Sequence, residues 1–391
     1  MARRDLRSRE PIQAGIARPG FLSSANSGSS WRGLQEIRIF GATYNLGMGS
    51  LRPFLAMSLA ETEALLADRG HSPIWASRLR RALLQGRLPA EAGKAGAVLP
   101  RGLVPSLEQE FCWLSLRETA QSRSEDGAVK HLLALADGEA IEAVRLPGSG
   151  APSACLSSQV GCAVGCRFCA SGLEGVQRNL KAHELLEQVA WLRRSGKVRR
   201  LVFMGAGEPT HNLREVADAL EVLRAEGDIG PRHVLVSTVG PASAIRRVTE
   251  LGRKVTLALS LHALNPDLRA ELIPSQAQVR PTDLLDAADE HARVTGRPYQ
   301  VEYVLLGGVN DSVKQAADLA RALKGRRAHV SLIPWNAVDE VGFQSPVRGV
   351  AEAFRDRLRR DGISVVLRRT LGGSADAACG QLRRRKSGLS V

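Results

Sequence analysis

Three of the chain's six cysteines, Cys162, Cys166 and Cys169, crowd into the stretch "GCAVGCRFCASG" with the spacing C-x3-C-x2-C. Thiolates are ligands for soft metals, and a structural tetrahedral zinc site normally closes with four donors. Three donors suit a [4Fe–4S] cluster, which cysteine thiolates hold, with one iron left open to a further ligand. A structural zinc site that borrows a distant fourth ligand is the alternative.

The elements around these cysteines set where they lie. From Cys155 onward the strand-like runs are "CLSSQV", "RLVFMGA", "HVLVSTV", "VTLALSLH", "YQVEYVLLG" and "HVSLIPW". Each is followed by an amphipathic helix pattern, for example "AHELLEQVAWLRRSG" after the cysteine loop and "SVKQAADLARALKG" after the fifth run. Six β–α units in series predict a parallel sheet with helical crossovers. An open six-strand sheet and a partial (β/α) barrel both fit this periodicity. In β/α barrels the active site collects at the C-terminal ends of the strands. At those ends lie Gly207 and Glu208 after the second run, Ser237 in the third, Ser260, Leu261 and His262 in the fourth, and Asn336 after the sixth. Read alone, Gly207-Glu208-Pro209 is a turn closing a strand, and His262 an ordinary hydrogen-bonded histidine.

Upstream the pattern changes. Residues 1–50 read as a basic, Gly- and Ser-rich leader of poor order, for which a misassigned start is the alternative. Residues 51–120 read as a small helical module with one basic face, drawn from "RLRRALLQGR" among others. Residues 128–147 alternate around Asp137-Gly138 as a β-hairpin. The catalytic domain is expected over 148–382 and a basic tail over 383–391. Lys plus Arg exceed Asp plus Glu by 54 − 40 = 14 among 391 residues, which favours a polyanionic partner through counterion release. A GC-rich genome's preference for Arg over Lys is the plainer reading of the same excess. Aromatics at 4% argue against an extended base-stacking platform. No run approaches the ~18 apolar residues of a membrane span, and no apolar segment follows "MARRDLRSRE" as a secretory signal requires. A cytoplasmic protein is expected, with thiols kept reduced.

The chain resembles the RlmN/Cfr family of radical S-adenosylmethionine RNA-adenine methyltransferases. The resemblance rests on "CLSSQVGCAVGCRFCASG", "RNL", "MGAGEPTHN", "STVG", "LALSLHALN", "VEYVLLGGVND", "LIPWN" and "DAACGQL", spread over roughly residues 130 to 382. It implies a partial (β/α)6 barrel of the radical-SAM type, with a small N-terminal helical accessory module and a β-hairpin linker. It implies a [4Fe–4S] cluster on Cys162, Cys166 and Cys169, whose open iron binds the amino and carboxylate groups of S-adenosylmethionine. Gly207, Glu208, Ser237, Ser260, Leu261, His262 and Asn336 are then its binding residues, with Glu208 the acceptor for the ammonium. Cys379 in "DAACGQL", which alone would read as a small buried hydrophobe, becomes the methyl carrier. Carbon 2 of adenine lies between two ring nitrogens and is too electron-poor to attack a sulfonium methyl. One S-adenosylmethionine therefore methylates Cys379, and a second supplies the 5′-deoxyadenosyl radical that activates the new methyl group. Cys155 resolves the resulting protein–RNA crosslink through a transient disulfide with Cys379, where the plainer reading is a core cysteine.

Glu142 shares a strand face with Val144 and Leu146 at a period of two. A carboxylate on an otherwise apolar face is expected to be desolvated, with a raised pKa that suits a base. The resemblance makes it the acceptor of the ring proton; a solvated edge-strand glutamate is the alternative. The implied partners are ribosomal RNA, with transfer RNA for some members, and an electron donor such as flavodoxin or ferredoxin, acting on a monomer. Carbon 8 methylation of adenosine, or a radical enzyme acting on a substrate other than RNA, are the competing readings. Cys112, beside Phe111 and Trp113, matches no motif and is expected in the core. The module at 51–120 carries no copy of the family's accessory sequence, and "CASG" stands where related proteins often place a hydroxyl-bearing residue next. These departures leave the radical chemistry in place and bear on the substrate.

Overall fold

The computed structural model describes residues 51–89, 99–148, 151–252, 254–338, 340–368 and 380–382, with the backbone of 37–39 and 42–44. The chain divides into two compact units, 1–48 and 49–391. In the first, Ile37–Ile39 and Ala42–Tyr44 form an antiparallel pair. Cys379 and the expected basic tail at 383–391 lie outside the described residues, as does most of the expected leader.

The second unit opens with three helices, α1 (Leu59–Asp68), α2 (Ile74–Leu84) and α3 (Leu103–Glu108). Ser58 and Glu61 start α1 with a reciprocal capping box, which satisfies two backbone donors that the first turn leaves open. On α2, Arg78 and Arg81 are exposed, as is Arg87 beyond its end, whereas Arg80 is completely buried. The basic face expected from "RLRRALLQGR" therefore has three arginines. Arg80 turns inward because Glu226 awaits it there.

Ten strands form one sheet. Antiparallel β1 (Arg117–Arg123), β2 (Val129–Ala134) and β3 (Ala140–Leu146) lead into β4 (Ser153–Cys155). The expected hairpin is thus the β2–β3 part of a three-strand meander joined to the barrel sheet by hydrogen bonds. Parallel strands follow in spatial order: β4, β7 (Arg200–Phe203), β8 (Val234–Thr238), β9 (Thr256–Ser260), β10 (Tyr299–Leu305), β11 (Ala328–Pro334) and β12 (Val365–Leu367). β12 is a seventh parallel strand beyond the six expected. A separate two-strand ribbon, β5 (Gln159–Gly161) with β6 (Val176–Asn179), carries the cysteine loop between its strands.

That ribbon corrects the reading of "CLSSQV" as one strand. Gln188, on α4 (Ala182–Arg194), binds the backbone of Ser157 through both amide atoms: Oε1 accepts from its N–H at 2.9 Å and Nε2 donates to its carbonyl at 3.0 Å. A side chain thus takes the pairing role that a neighbouring strand would have played on one side of Ser157, while Leu156 and Ser158 stay hydrogen-bonded to Val202, Gly205 and Ala206 on the other. Gly161 lets the ribbon close, since it has φ of 78° and a Cβ there would stand 2.0 Å from the Gly175 carbonyl oxygen.

Helices α4, α5 (Leu213–Ala225), α6 (Ala242–Glu250), α8 (Pro281–Thr295), α9 (Val313–Leu323) and α10 (Val350–Arg360) alternate with the strands. Their apolar stripes cover one face of the sheet: Leu185 and Val189 pack with Leu201 and Phe203, and Leu319 and Phe354 with Val301 and Leu332. Alternation along the strands turns the other residues to the opposite face. There the register aligns Ser260 with Glu302 and Glu302 with Ser331, giving a polar row inside a largely apolar sheet.

Candidate active site

The C-terminal ends of the parallel strands surround a cavity of about 150 Å³. Cys162, Cys166 and Cys169 line it, together with Gly207, Glu208, Ser237, Ser260, His262, Glu302 and Gly380. Among the described residues no three Cys, His, Asp or Glu side chains converge as a mononuclear metal requires. Burial and mutual repulsion push Cys162 up to about 12 and Cys166 well above its ordinary value, and burial raises Cys169. Thiols so placed would ionise against a strong positive partner such as the irons of a cluster would supply.

The loop carrying these cysteines is fixed at several points. The N–H of Arg167 donates to the Leu272 carbonyl at 3.0 Å, and that of Ala170 to Gly380 at 2.8 Å. Ser171 Oγ donates to the Leu382 carbonyl at 2.6 Å. The Trp335 indole N–H donates to the Phe168 carbonyl at 2.8 Å.

Gly207 has φ of 99°, and a Cβ there would stand 2.6 Å from the Cβ of Gln159, so only glycine lets the two segments meet. Gln159 Oε1 then accepts from the Glu208 N–H at 2.9 Å. The Glu208 carboxylate is buried and fixed: Oε1 accepts from the N–H and hydroxyl of Thr210 at 3.1 and 2.8 Å, and Oε2 from the Val239 N–H at 3.1 Å. Burial raises its pKa against those hydrogen bonds. Ser237 and Ser260 face each other, Oγ to Oγ, at 3.0 Å.

His262 adopts the left-handed region at φ 62°. Its Nδ1 accepts from the Val304 N–H at 3.1 Å, and burial drives its pKa down to about 3. It is a neutral ring at physiological pH, set edge to face against Phe168 with centroids 4.9 Å apart. Leu261 does not line the cavity. Its side chain lies in the helix-covered core, its N–H donates to Glu302 and its carbonyl accepts from Arg269. Asn336 lines a neighbouring pocket of about 600 Å³ with Arg348, Arg368 and Gln381, and Trp335 borders both.

Glu142 is buried, with Lys130 Nζ 3.2 Å from its carboxylate. The face expected to be otherwise apolar therefore carries a cation from the adjacent strand, because the β2–β3 register brings Lys130 diagonally across. Cys155 pairs with Val144, two residues from Glu142, so all three share one face. Cys155 packs with Leu382, which anchors the chain three residues beyond Cys379. Cys112 is buried, as expected.

Sequence reasoning missed Gln159, Phe168, Trp335, Arg269 and Glu302. Glu302 alone had a visible signal, as the one charge in an apolar strand run. It accepts from Arg368 Nη2 at 2.9 Å, and its Oε2 has no hydrogen-bond partner among the described residues.

The Radical SAM superfamily signature matches residues 156–320. A protein of Rhodopirellula baltica named "Probable dual-specificity RNA methyltransferase RlmN" is 40% identical over 338 residues, covering 85% of this chain and 91% of its own. The chain belongs to the RlmN family of radical S-adenosylmethionine methyltransferases. A family member from Synechococcus elongatus with the same printed name is 44% identical, over 68% of this chain and 76% of its own. The crystal structure of a radical SAM methyltransferase from Sphaerobacter thermophilus superposes with a TM-score of 0.78 at 36% identity, covering 84% of this chain and 98% of that one. The partial (β/α) barrel is thus that of the radical-SAM enzymes, and the family's cofactors are a [4Fe–4S] cluster and S-adenosylmethionine.

Proposed function

We propose that this enzyme methylates carbon 2 of adenosine in RNA, with 23S ribosomal RNA as principal substrate and transfer RNA as a second, and that Cys379 carries the methyl group. The observation that carries this reading is that one cavity brings together the three cysteines, Glu208, Ser237, Ser260 and Gly380, the immediate neighbour of Cys379. The relatives' printed names, RNA methyltransferases of dual specificity, support the substrate class.

In this reading Cys162, Cys166 and Cys169 hold the cluster. When bound and reduced, it supplies the electron that cleaves S-adenosylmethionine to a 5′-deoxyadenosyl radical. Glu208, pinned by Thr210 and Val239, presents a fixed acceptor to the substrate ammonium. Ser237 and Ser260 offer paired hydroxyls, Gly207 leaves room for close approach, and neutral His262 forms part of the wall. Leu261 contributes by holding the end of β9 to β10, and Asn336 by its place beside Trp335 at the rim. Cys379 takes the methyl group as a thiolate. Glu142, held against Lys130, accepts the ring proton, and Cys155 on the same face frees the product through a disulfide with Cys379. The exposed arginines at 78, 81 and 87 offer phosphate contacts to the RNA. A flavodoxin or ferredoxin is the electron donor, and the enzyme works as a cytoplasmic monomer. Among the described residues no helix is long and apolar enough to cross a membrane.

The test is anaerobic reconstitution, followed by reaction with S-adenosylmethionine, reductant and unmodified ribosomal and transfer RNAs. Nucleosides are then analysed by mass spectrometry beside Cys379→Ala. New 2-methyladenosine from the parent alone is the expected result. An 8-methyladenosine product would overturn the regiochemistry, and 5′-deoxyadenosine without any methylated base would overturn the RNA substrate.

A further inference from the structure

Arg269, on α7 (Pro266–Leu272), is 1% exposed. Its Nε donates to the Leu261 carbonyl at 3.1 Å, and its Nη2 to the carbonyls of Val239 at 2.7 Å and Ser260 at 3.4 Å. Its Nη1 is buried with no hydrogen-bond partner, and among the described residues no carboxylate forms an ion pair with it. A guanidinium does not escape burial by losing its proton at neutral pH, and neutral carbonyls do not supply the opposite charge that a buried cation needs. The opposite charge that such burial calls for is not among the described carboxylates.

The neighbouring element is the cysteine loop. α7 ends at Leu272, whose carbonyl receives the N–H of Arg167, the residue after Cys166. Leu268 and Leu272, on either side of Arg269, belong to one apolar cluster with Cys162, Cys166 and Cys169, and Val239 and Ser260, whose carbonyls Arg269 holds, line the cysteines' cavity.

We propose that Arg269 is the counter-charge of the cluster and raises its reduction potential. This rests on the reading that Cys162, Cys166 and Cys169 hold a [4Fe–4S] cluster. An oxidised cluster of charge +2 on three thiolates carries −1 overall, and one added electron makes it −2. A fixed positive charge nearby stabilises the second state more than the first, because the interaction scales with the product of charges. Glu208 lines the same cavity as the three cysteines and, when ionised, has the opposite sign. Arg269 is therefore one of two fixed charges that set how readily the site accepts its electron.

The test compares Arg269→Lys, which keeps the charge and loses the fork, with Arg269→Gln, which loses the charge and keeps a hydrogen-bonding amide. Each is reconstituted anaerobically, assayed for iron and cluster absorbance, and titrated against redox mediators by electron paramagnetic resonance. Arg269→Gln is expected to bind iron like the parent but accept its electron at least tenfold less favourably, a shift of about 59 mV downward for one electron. Arg269→Lys is expected to remain near the parent. A cluster-loaded Arg269→Gln with the parent's potential overturns the proposal and leaves the cysteine assignment standing. A parent chain that takes up no four-iron cluster overturns both. Thermal unfolding of the cluster-free proteins gives a second readout: Arg269→Gln is expected to be at least as stable as the parent, since an uncompensated charge is gone. If it unfolds at markedly lower temperature, or fails to fold, Arg269 is a structural brace and the proposal falls.

Discussion

Among the described residues Arg80 and Arg269 are the two largest side chains fully withdrawn from water, and their surroundings differ in one respect. Arg80 reaches from α2 to Glu226, at the end of α5, with Nε 2.6 Å from one carboxylate oxygen and Nη2 3.1 Å from the other. Its Nη1 donates to the Met57 carbonyl. Fork meets fork, and the helical module is tied to the barrel by a pair complete in itself. Arg269 has the same burial but only backbone carbonyls around it, with one nitrogen left over. A buried charge with its partner built in serves the fold. A buried charge with no carboxylate partner among the described residues is where we place the counter-charge of the proposed cluster.

The comparison breaks most visibly at Arg80. Arg80→Ala leaves Glu226 buried and unpaired, and the expected cost is about 3–5 kcal/mol, read from urea unfolding. Replacing both partners, as in Arg80→Met with Glu226→Leu, should recover more than half of that loss. If the double variant is no better than the single one, the pair is not self-contained and the contrast with Arg269 fails.

Glu187 sharpens it from the acidic side. This α4 residue lies in the same seam between module and barrel, and its Oε2 accepts from the N–H and hydroxyl of Ser115 and the N–H of Leu116 at 2.6, 2.9 and 2.8 Å. Its Oε1 has no partner among the described residues. Burial pushes its pKa up to about 8, against the pull of those hydrogen bonds. Unlike an arginine, it meets isolation by keeping its proton. Between the ordinary carboxylate range and about 8 the folded chain holds that proton while the unfolded chain has released it, so stability falls as pH rises through this window. From pH 6 to pH 9 the loss should be roughly 2.7 kcal/mol, about 1.4 kcal/mol for each of the two pH units below 8. Thermal midpoints of the parent should drop accordingly, and those of Glu187→Gln should drop much less. Parallel curves would show that the carboxyl is already ionised.

The smallest effect is expected at Glu208. Glu208→Gln should weaken S-adenosylmethionine binding about tenfold, the loss of one charged hydrogen bond, measured by calorimetry on the cluster-loaded protein. It should also move the cluster potential upward, opposite to Arg269→Gln. A downward shift would mean that charge alone does not set the potential.

How much of this was legible follows from how far each interaction reaches along the chain. The cysteine triplet is a local pattern, and its spacing already limits the metal it can hold. The parallel order of the strands follows from alternation, since β–α units in series have few other ways to cover an apolar sheet. Glu208, Ser237, Ser260 and His262, read as strand-end positions, line the cavity, because a residue just past a barrel strand has one region to face. Asn336 fell in the next pocket, for the turn after β11 is fixed by contacts such as Gln381 to the Ala337 carbonyl, from far along the chain. The break after Cys155 was hidden for the same reason, being made by Gln188 more than thirty residues downstream.

The sequence by itself determined the cofactor chemistry, the family and the order of the barrel's elements, all of which rest on residue types at short spacings. Tertiary structure decided which charges are compensated. In "DLRAEL" Arg269 reads like any arginine on an amphipathic helix, just as Arg80 reads like its exposed neighbours Arg78 and Arg81. Desolvation is a property of everything packed around a group, summed over distant parts of the chain. Only the folded molecule shows that one of these arginines has its carboxylate, while the other, among the described residues, holds only backbone carbonyls of the strand ends that surround the cavity.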